Sequence, residues 1–124
     1  MPKKIVVVED EPNITEAISF ILSRDGWEVL THANGETAVD AVRAAAPDAV
    51  VLDVMLPGRS GYEILQDLRA DPAFAALPVL ILTARGQKKD RDLADKLGAT
   101  RFMTKPFSNA EMLKALREIA GGVD

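Results

Sequence analysis

The sequence contains no cysteine and a single histidine among its 124 residues. Without cysteine, the chain has no disulfide framework, no thiolate nucleophile and no thiolate ligand for a metal. Long apolar runs are also missing, because segments such as 5–8 and 79–82 fall far short of the roughly 20 residues that cross a bilayer. The basic start of the chain leads into only four aliphatic residues, too few for a signal peptide. We therefore expect a cytoplasmic protein without a membrane span.

Basic charge is in deficit, with 15 Lys and Arg against 19 Asp and Glu and a formal net charge of −4. A surface that holds nucleic-acid phosphate needs a basic patch, so direct nucleic-acid binding is disfavoured. The length of 124 residues and the hydrophobic fraction of 48% suit one core, since a chain of this size already buries about two-thirds of its unfolded surface. We predict one domain across residues 1–124.

Five short aliphatic or β-branched segments alternate with segments of helical spacing. The strands are predicted to begin near Ile5, Glu28, Ala49, Val79 and Arg101. The first, third and fourth lack hydrophobic/polar alternation, which is typical of a parallel sheet with helices on both faces. The pattern predicts an open α/β fold in which five helices flank a five-stranded parallel sheet.

Apolar residues three and four positions apart mark the helices. Helix one carries Ile14, Ala17, Ile18, Ile21 and Leu22 on one face, and Gly26 is predicted to end it. Helix two is predicted from Asn34 or Gly35 to Ala45, because the residue before Pro47 is pushed out of helical geometry.

The third to fifth helices differ in the strength of their apolar faces. Helix three carries Tyr62, Leu65 and Leu68, whereas helix four, about Lys88 to Leu97, has only a narrow stripe of Leu93, Ala94 and Leu97. Helix five has Met112, Leu113, Leu116 and Ile119 on its apolar face. It opens with Ser108 and, three residues on, Glu111, the pattern of a capping box.

Polar residues stand at the ends of four predicted strands. Glu9 and Asp10 follow the first strand, and Asp53, Thr83 and Lys105 end the third, fourth and fifth. We expect these residues to converge, because the crevice of an open parallel sheet lies beyond the carboxyl ends of its strands. Each has an ordinary structural explanation on its own, such as Asp10 capping a helix, and only the set indicates a site.

Carboxylates crowded at one edge repel each other by about 4 kcal/mol per close pair at an effective dielectric of about 20. Lys105 supplies one positive charge, and a hard divalent cation with oxygen ligands, most naturally Mg²⁺, could supply the rest. The lone His32, near the end of strand two, is expected to be a strand or surface residue. A carboxylate, a divalent metal and a lysine fit phosphoryl transfer, with Asp53 as the nucleophile at the end of the central strand.

Four motifs together resemble the receiver domain of two-component response regulators. They are Val8-Glu9-Asp10-Glu11, Leu52-Asp53-Val54-Met55-Leu56-Pro57-Gly58, Leu82-Thr83-Ala84-Arg85 and Thr104-Lys105-Pro106-Phe107. They occur in order over the length of the chain. The resemblance implies a doubly wound, flavodoxin-like sheet of strand order 2-1-3-4-5 and a phosphoacceptor that is not a turnover enzyme.

The resemblance implies a role for each acidic residue. Asp53 would accept a phosphoryl group from the phosphohistidine of a sensor histidine kinase or phosphotransfer protein. Asp10, Asp53 and the Met55 backbone carbonyl would hold Mg²⁺, with Glu9 acting through water. Many members have Asp at the position of Glu9, and the longer side chain here favours such a water-mediated contact.

The family resemblance also implies a conformational switch. Lys105 would pair with one phosphoryl oxygen, and Thr83 with the Ala84 N–H would hold another. Thr83 would move inward and Phe102 would turn to fill the space, changing the face of helix four, strand five and helix five for a downstream protein effector. The Lys105–Pro106 bond, at Pro106, is implied to be cis.

Departures from the family pattern carry two further expectations. Members that dimerise through helix four, strand five and helix five usually have acidic residues at the positions of Thr100 and Arg101 and a basic residue at that of Ala115. We expect any such homodimer to be weak. Met55 and Arg85 flank the site, and neither is a good general base, so self-dephosphorylation is predicted to be slow.

Three alternatives stay open at this point. A small haloacid-dehalogenase-like phosphatase also uses an Asp nucleophile, but it needs an acid two residues later, where Met55 stands. A flavodoxin- or Rossmann-type nucleotide module needs a glycine-rich first loop, which Glu9-Asp10-Glu11-Pro12 is not. The end at Gly121-Gly122-Val123-Asp124 suggests a stand-alone receiver, and the close alternative is a receiver fragment of a larger DNA-binding regulator.

Overall fold

The structure, a computed structural model, describes residues 3–121. Residues 1–2 and 122–124 lie outside this part, and with them most of the C-terminal Gly-Gly-Val-Asp segment. Five strands alternate with five α-helices, and a short 3₁₀ helix precedes the fourth strand. The elements are β1 Lys4–Val8, α1 Pro12–Arg24, β2 Glu28–His32, α2 Ala38–Ala45, β3 Ala49–Asp53, α3 Gly61–Ala70, the 3₁₀ helix Pro72–Phe74, β4 Val79–Thr83, α4 Lys88–Lys96, β5 Arg101–Thr104 and α5 Asn109–Ala120.

The five strands form one parallel sheet in the order β2-β1-β3-β4-β5. The predicted fold and strand order are confirmed. β3 lies in the centre, and its last residue, Asp53, pairs in register with Leu82 of β4. Thr83 pairs with Thr104 in turn. The register therefore aligns the ends of the strands that carry the candidate site residues.

Helices cover both faces of the sheet, as the continuous apolar strands predict. β3 and β4 are buried along their whole length, and β1 is buried from Ile5 onward. On one face, α1 and α5 pack against the sheet through Ile18, Leu22, Met112 and Leu116. On the other face, α2, α3 and α4 pack through Val42, Ile64, Leu65, Leu68 and Ala94. No helix within residues 3–121 is long and apolar enough to cross a membrane.

The predicted start of α2 is wrong by three or four residues. The helix begins at Ala38 and not at Asn34 or Gly35. Asn34 Oδ1 accepts a hydrogen bond from the Glu36 N–H at 2.7 Å, and the Gly35 N–H donates to the Pro57 carbonyl at 2.9 Å. The bond to Pro57 ties this segment to the loop after β3, and the regular helix begins only after it.

Two residues of the predicted apolar faces are exposed. Ala17 on α1 faces solvent, and Leu93 on α4 is 40% exposed. Ala94 is the one buried residue of α4, so this helix contacts the sheet over a narrow stripe. The predicted capping box of Ser108 is present, and Ser60 at the start of α3 has another, which the sequence analysis missed.

Candidate functional site

The candidate residues meet at the carboxyl edge of the sheet. Glu9 and Asp10 follow β1, Asp53 and Thr83 end β3 and β4, and Lys105 follows β5. Asp53 lies in the middle, since β3 is flanked by β1 and β4. The topology therefore brings residues that are up to about a hundred positions apart in sequence to one crevice, as expected for this class of sheet.

Three carboxylates form the centre of the site. Glu9, Asp10 and Asp53 each offer an oxygen, and these oxygens lie within 4.8 Å of one another. Glu9 is 2% and Asp53 1% exposed, whereas Asp10 is open to solvent. Asp53 Oδ2 is buried and has no hydrogen-bond partner within residues 3–121. A buried carboxylate oxygen without a partner is costly unless a cation or donor meets it.

Lys105 is the cation that the structure brings to these acids. Its Nζ lies 2.8 Å from Glu9 Oε1, 3.0 Å from Glu11 Oε1 and 3.5 Å from Asp53 Oδ1. One ammonium therefore faces three carboxylates, and Asp10 adds a fourth at the mouth of the site. The pair with Glu11 was missed by the sequence analysis, although the acidic run that begins at Glu9 is a signal that could have revealed it.

The ionisation of the site follows from burial and these contacts. Burial, together with the hydrogen bond and negative charge of Glu9, raises the pKa of Asp53 to about 7, against the opposing effects of Lys105 and the Met55 N–H. Burial alone would raise the pKa of Glu9, but Lys105 and the Glu11 N–H hold it below its usual value. Burial opposes the charge of Lys105 as well, yet the surrounding carboxylates raise the pKa of its ammonium.

The β3–α3 loop carries Met55 across the mouth of the site. The Met55 N–H lies 3.4 Å from Asp53 Oδ1, and the Met55 side chain is 63% exposed. Gly58 has a φ of +86°, a conformation that favours glycine, and with Pro57 before it the chain makes a tight turn. The turn folds the chain sharply after Asp53 and keeps the backbone of Met55 beside the carboxylate.

The remaining candidates lie on β4 and β5. Thr83 is buried, and its Oγ1 accepts a hydrogen bond from the Arg85 N–H at 3.1 Å. Phe102 on β5 is half-buried, and the Arg91 guanidinium of α4 stacks over its ring, 5.0 Å from the centroid. The Lys105–Pro106 peptide bond is cis.

A cleft of about 370 Å³ lies beside the acids, lined in part by Asp10, Glu16 and His32. His32 ends β2, and its Nε2 lies 2.7 Å from Thr37 Oγ1. The ring therefore uses one nitrogen on a neighbouring hydroxyl at the surface, in keeping with the expectation that it is a strand or surface residue. No sequence pattern indicates this cleft, because it depends on how α1 and β2 pack.

This geometry supports neither the haloacid-dehalogenase-like phosphatase nor the nucleotide-binding module. Met55, two residues after Asp53, supplies no general acid, and the loop after β1 presents Glu9, Asp10 and Glu11 where a nucleotide phosphate would need backbone donors.

Comparisons with known proteins agree with this reading of the site. Residues 5–117 match the family model of the response regulator receiver domain. A probable transcriptional regulatory protein, TcrX of Mycobacterium tuberculosis, is 42% identical over 118 residues, which are 95% of this chain and 50% of the relative. The chain thus spans half the length of this curated relative.

Solved structures give the same result. The receiver domain of a sensor histidine kinase from Pseudomonas aeruginosa, with a magnesium ion coordinated in its active-site cleft, is 30% identical with a TM-score of 0.89, covering 98% of this chain and 100% of that one. The chemotaxis protein CheY4 of Vibrio cholerae is 28% identical with a TM-score of 0.90, covering 96% of this chain and 99% of the other. Because a family model covers nearly the whole sequence and the folds coincide, this chain belongs to the receiver domains of two-component response regulators.

Proposed function

We propose that this chain, as a single receiver domain, accepts a phosphoryl group on Asp53 from the phosphohistidine of a sensor histidine kinase or phosphotransfer protein. The observation that carries the proposal is the Asp53 side chain itself. It ends the central strand and is 1% exposed, and one of its carboxylate oxygens has no hydrogen-bond partner in the described part of the chain, although acids and a lysine surround it. In the transfer, an Asp53 oxygen forms a bond to phosphorus, and the P–N bond to the donor imidazole breaks. The imidazole nitrogen keeps the electron pair and takes up a proton.

The donor set fits Mg²⁺. Closely spaced carboxylate oxygens and a backbone carbonyl are the hard ligands that this ion prefers. Asp10, Asp53 and the Met55 carbonyl would hold it directly, and Glu9 through water. When bound, the ion neutralises the carboxylates and the phosphoryl oxygens. The excess of carboxylates over the single ammonium of Lys105 supports this requirement for a further cation.

Lys105 and Thr83 would complete the site around the transferred group. Lys105 lies 3.5 Å from Asp53 Oδ1 and is held there by Glu9 and Glu11, so its ammonium is already placed to pair with a phosphoryl oxygen. Thr83 Oγ1 accepts a hydrogen bond from the Arg85 N–H, which leaves its hydroxyl hydrogen to donate. The Ala84 N–H, next along the chain, would donate to the same oxygen.

Phosphorylation would be transmitted to the surface through Phe102. Movement of Thr83 toward the phosphoryl group would open space behind it, and the half-buried ring of Phe102 would turn into that space. The turn would break the stacking of Arg91 on the ring and so change the contact between α4 and β5. The face formed by α4, β5 and α5 would then bind a downstream protein effector.

The output of the molecule depends on what this face meets. Arg101 on β5 pairs with Glu118 on α5 within the chain, so this guanidinium is already engaged, which supports only a weak homodimer through the same face. We propose that the domain acts in the cytoplasm, either alone or as the receiver of a longer regulator. The second case would resemble TcrX, of which this chain spans half.

Chemical phosphorylation tests the proposal. The protein is incubated with Mg²⁺ and a small acyl-phosphate donor, and its intact mass is measured. We expect one added phosphoryl group on the wild type and none on Asp53→Asn. Asp40→Asn, on the exposed surface of α2, is the matched control and should be labelled like the wild type. Equal labelling of Asp53→Asn would show that the acceptor is another residue.

A further inference from the structure

The β3–α3 loop, residues 54–60, has few hydrogen bonds of its own. Within the loop, the Leu56 N–H donates to the Val54 carbonyl at 3.2 Å. Its first residue is anchored by the Val54 N–H to the Leu82 carbonyl at 3.1 Å and by the Gly61 N–H to the Val54 carbonyl at 3.0 Å. The middle of the loop therefore needs support from elsewhere if the Met55 carbonyl is to keep a fixed place.

That support comes from the β2–α2 loop, residues 33–37. The Gly35 N–H donates to the Pro57 carbonyl at 2.9 Å. The side chains of Asn34 and Glu36 lie against Gly58, where an added Cβ would come within 3.3 Å of Asn34 Oδ1 and 2.6 Å of Glu36 Cγ. The two loops thus meet over several atoms on the α2 side of the site.

Gly35 is the point of closest approach. A Cβ at this position would lie 2.2 Å from the Arg59 carbonyl oxygen and 2.8 Å from the Arg59 nitrogen. These are backbone atoms, which cannot move aside as the end of a flexible side chain can. Gly35 does not have a positive φ, so the position requires glycine for space and not for backbone conformation.

The backbone that Gly35 touches leads to α3 in one direction along the chain and back to Met55 in the other. Arg59 precedes the cap of α3 at Ser60, and the Arg59 guanidinium pairs with Asp67 of that helix at 2.7 Å. On the other side, Pro57 lies two residues after Met55. A side chain at position 35 would therefore push the loop at Arg59, which α3 holds, and the displacement would fall on the less supported residues toward Met55.

We propose that Gly35 is a positioning residue for the metal site, holding the β3–α3 loop so that the Met55 carbonyl can join Asp10 and Asp53 in binding Mg²⁺. The inference rests on the proposed function, in which that carbonyl is a ligand of Mg²⁺. Gly35 touches neither the ion nor the phosphoryl group and acts through Pro57 and Arg59. Groups that orient metal ligands typically change metal affinity 10- to 100-fold when they are removed.

The test is a Mg²⁺ titration of Gly35→Ala followed by two-dimensional NMR of the backbone amides. We expect the dissociation constant for Mg²⁺ to rise about tenfold or more, with the largest amide shifts before titration in residues 54–60. Gly98→Ala is the matched control. Gly98 also lies in a loop and has a φ of +97°, which makes any side chain at this position costly. It precedes β5 and so lies at the amino ends of the strands, opposite the site.

The control separates loss of stability from loss of positioning. Gly98→Ala should lower the melting temperature and leave the Mg²⁺ dissociation constant within twofold of the wild type. A folded Gly35→Ala that binds Mg²⁺ as tightly as the wild type would overturn the proposal. Equal weakening by Gly98→Ala would overturn it too, because the effect would then follow from general destabilisation.

A second variant decides the matter if Gly35→Ala does not fold. Gly58→Ala strains the same loop contact from the other side, and its Cβ meets side-chain atoms of Glu36 and Asn34, which can move. We expect a smaller weakening of Mg²⁺ binding, and unchanged affinity would contradict the proposal. Wild-type protein that binds no Mg²⁺ at all would instead overturn the proposed function, so the two failures are distinguishable.

Discussion

At the scale of single residues, the surroundings of Asp53 favour a different protonation state from the one that its proposed reaction needs. Its carboxylate is 1% exposed, lies beside Glu9, and has a pKa raised to about 7, first by burial and then by the neighbouring acid. A nucleophile must be ionised to attack phosphorus, yet this environment favours the neutral form. The conflict accounts for the need for a cation, which would favour the charged carboxylate and lower the pKa again.

Asp53→Asn is expected to stabilise the metal-free protein. The folded-state pKa of Asp53 is above its usual 3.8, so the folded state holds the proton more tightly than the unfolded state. Stability from this group is full below about pH 4 and is lost as the pH rises through about 7. Asn does not ionise, so the gain in unfolding free energy should reach at most about 4 kcal/mol at pH 8 and be roughly a third of that at pH 5.

Thermal unfolding in a chelator at the two pH values checks this expectation. Excess Mg²⁺ should reduce the difference between the proteins, because the ion stabilises the wild type through binding to its folded state. An Asn variant that melts at or below the wild-type temperature at pH 8 without metal would contradict the account of Asp53.

Met55 and Arg85 bear on the lifetime of the phosphorylated state. Met55 is 63% exposed beside the acceptor, and the Arg85 N–H is bonded to Thr83 Oγ1. Neither side chain can act as a general base for water, and the bulk of Met55 and the positive charge of Arg85 would hinder its attack on the acyl phosphate. We predict a long-lived phosphoryl group, whose loss becomes severalfold faster in Met55→Asn and Arg85→Ala. A lifetime of seconds that neither substitution alters, measured by loss of the added mass, would count against it.

At the scale of elements, α4 is the least firmly held helix. It buries Ala94 alone, whereas α3 buries Gly61, Ile64, Leu65 and Leu68. Its side-chain contacts to the rest of the molecule include the Tyr62 hydroxyl, which donates to the Asp90 carbonyl at 3.4 Å, and the stacking of Arg91 on Phe102. An element with few buried contacts opens locally at low cost, which suits a helix that must shift in a switch.

Amide hydrogen exchange checks the difference between these helices. In the unphosphorylated protein, the central amides of α4 are expected to exchange faster than those of α3, because α4 buries fewer residues and opens at a lower free-energy cost. Arg91→Ala removes the stacking on Phe102 and should speed exchange in α4 further, whereas Lys89→Ala on the same helix serves as the control. Equal protection of α3 and α4 would contradict the account of α4 as the mobile element.

The same elements show how far sequence reasoning extends. Continuous apolar strands predict buried parallel strands, and the helix periods predict which residues face them, since both depend on local spacing. The start of α2 was missed because Gly35 is used by a loop more than twenty residues away in sequence. The helical spacing places Leu93 on the buried face of α4, but the helix contacts the sheet only along a line through Ala94, and Leu93 lies beside that line.

At the scale of the whole molecule, the sheet topology assembles the site. The order β2-β1-β3-β4-β5 follows from the resemblance, and strand ends then predict that Glu9, Asp10, Asp53, Thr83 and Lys105 share an edge. Other contacts were beyond prediction, including the Lys105–Glu11 pair and the approach of Gly35 to Arg59. Both join loops whose mutual placement is decided by packing across the sheet. The acidic run at Glu9 marks candidate partners for Lys105 without selecting Glu11, and no local pattern marks the approach of Gly35 to Arg59.

The central claim is that the crevice at the carboxyl edge binds Mg²⁺ and carries a phosphoryl group on Asp53. A crystal structure with Mg²⁺ and beryllofluoride, which mimics an acyl phosphate, tests it most directly. The account predicts beryllofluoride bonded to an Asp53 oxygen, Lys105 and Thr83 in contact with its fluorides, and Mg²⁺ bound by Asp10, Asp53 and the Met55 carbonyl. A crevice without either group at saturating concentrations, or beryllofluoride bonded to another carboxylate, would contradict it.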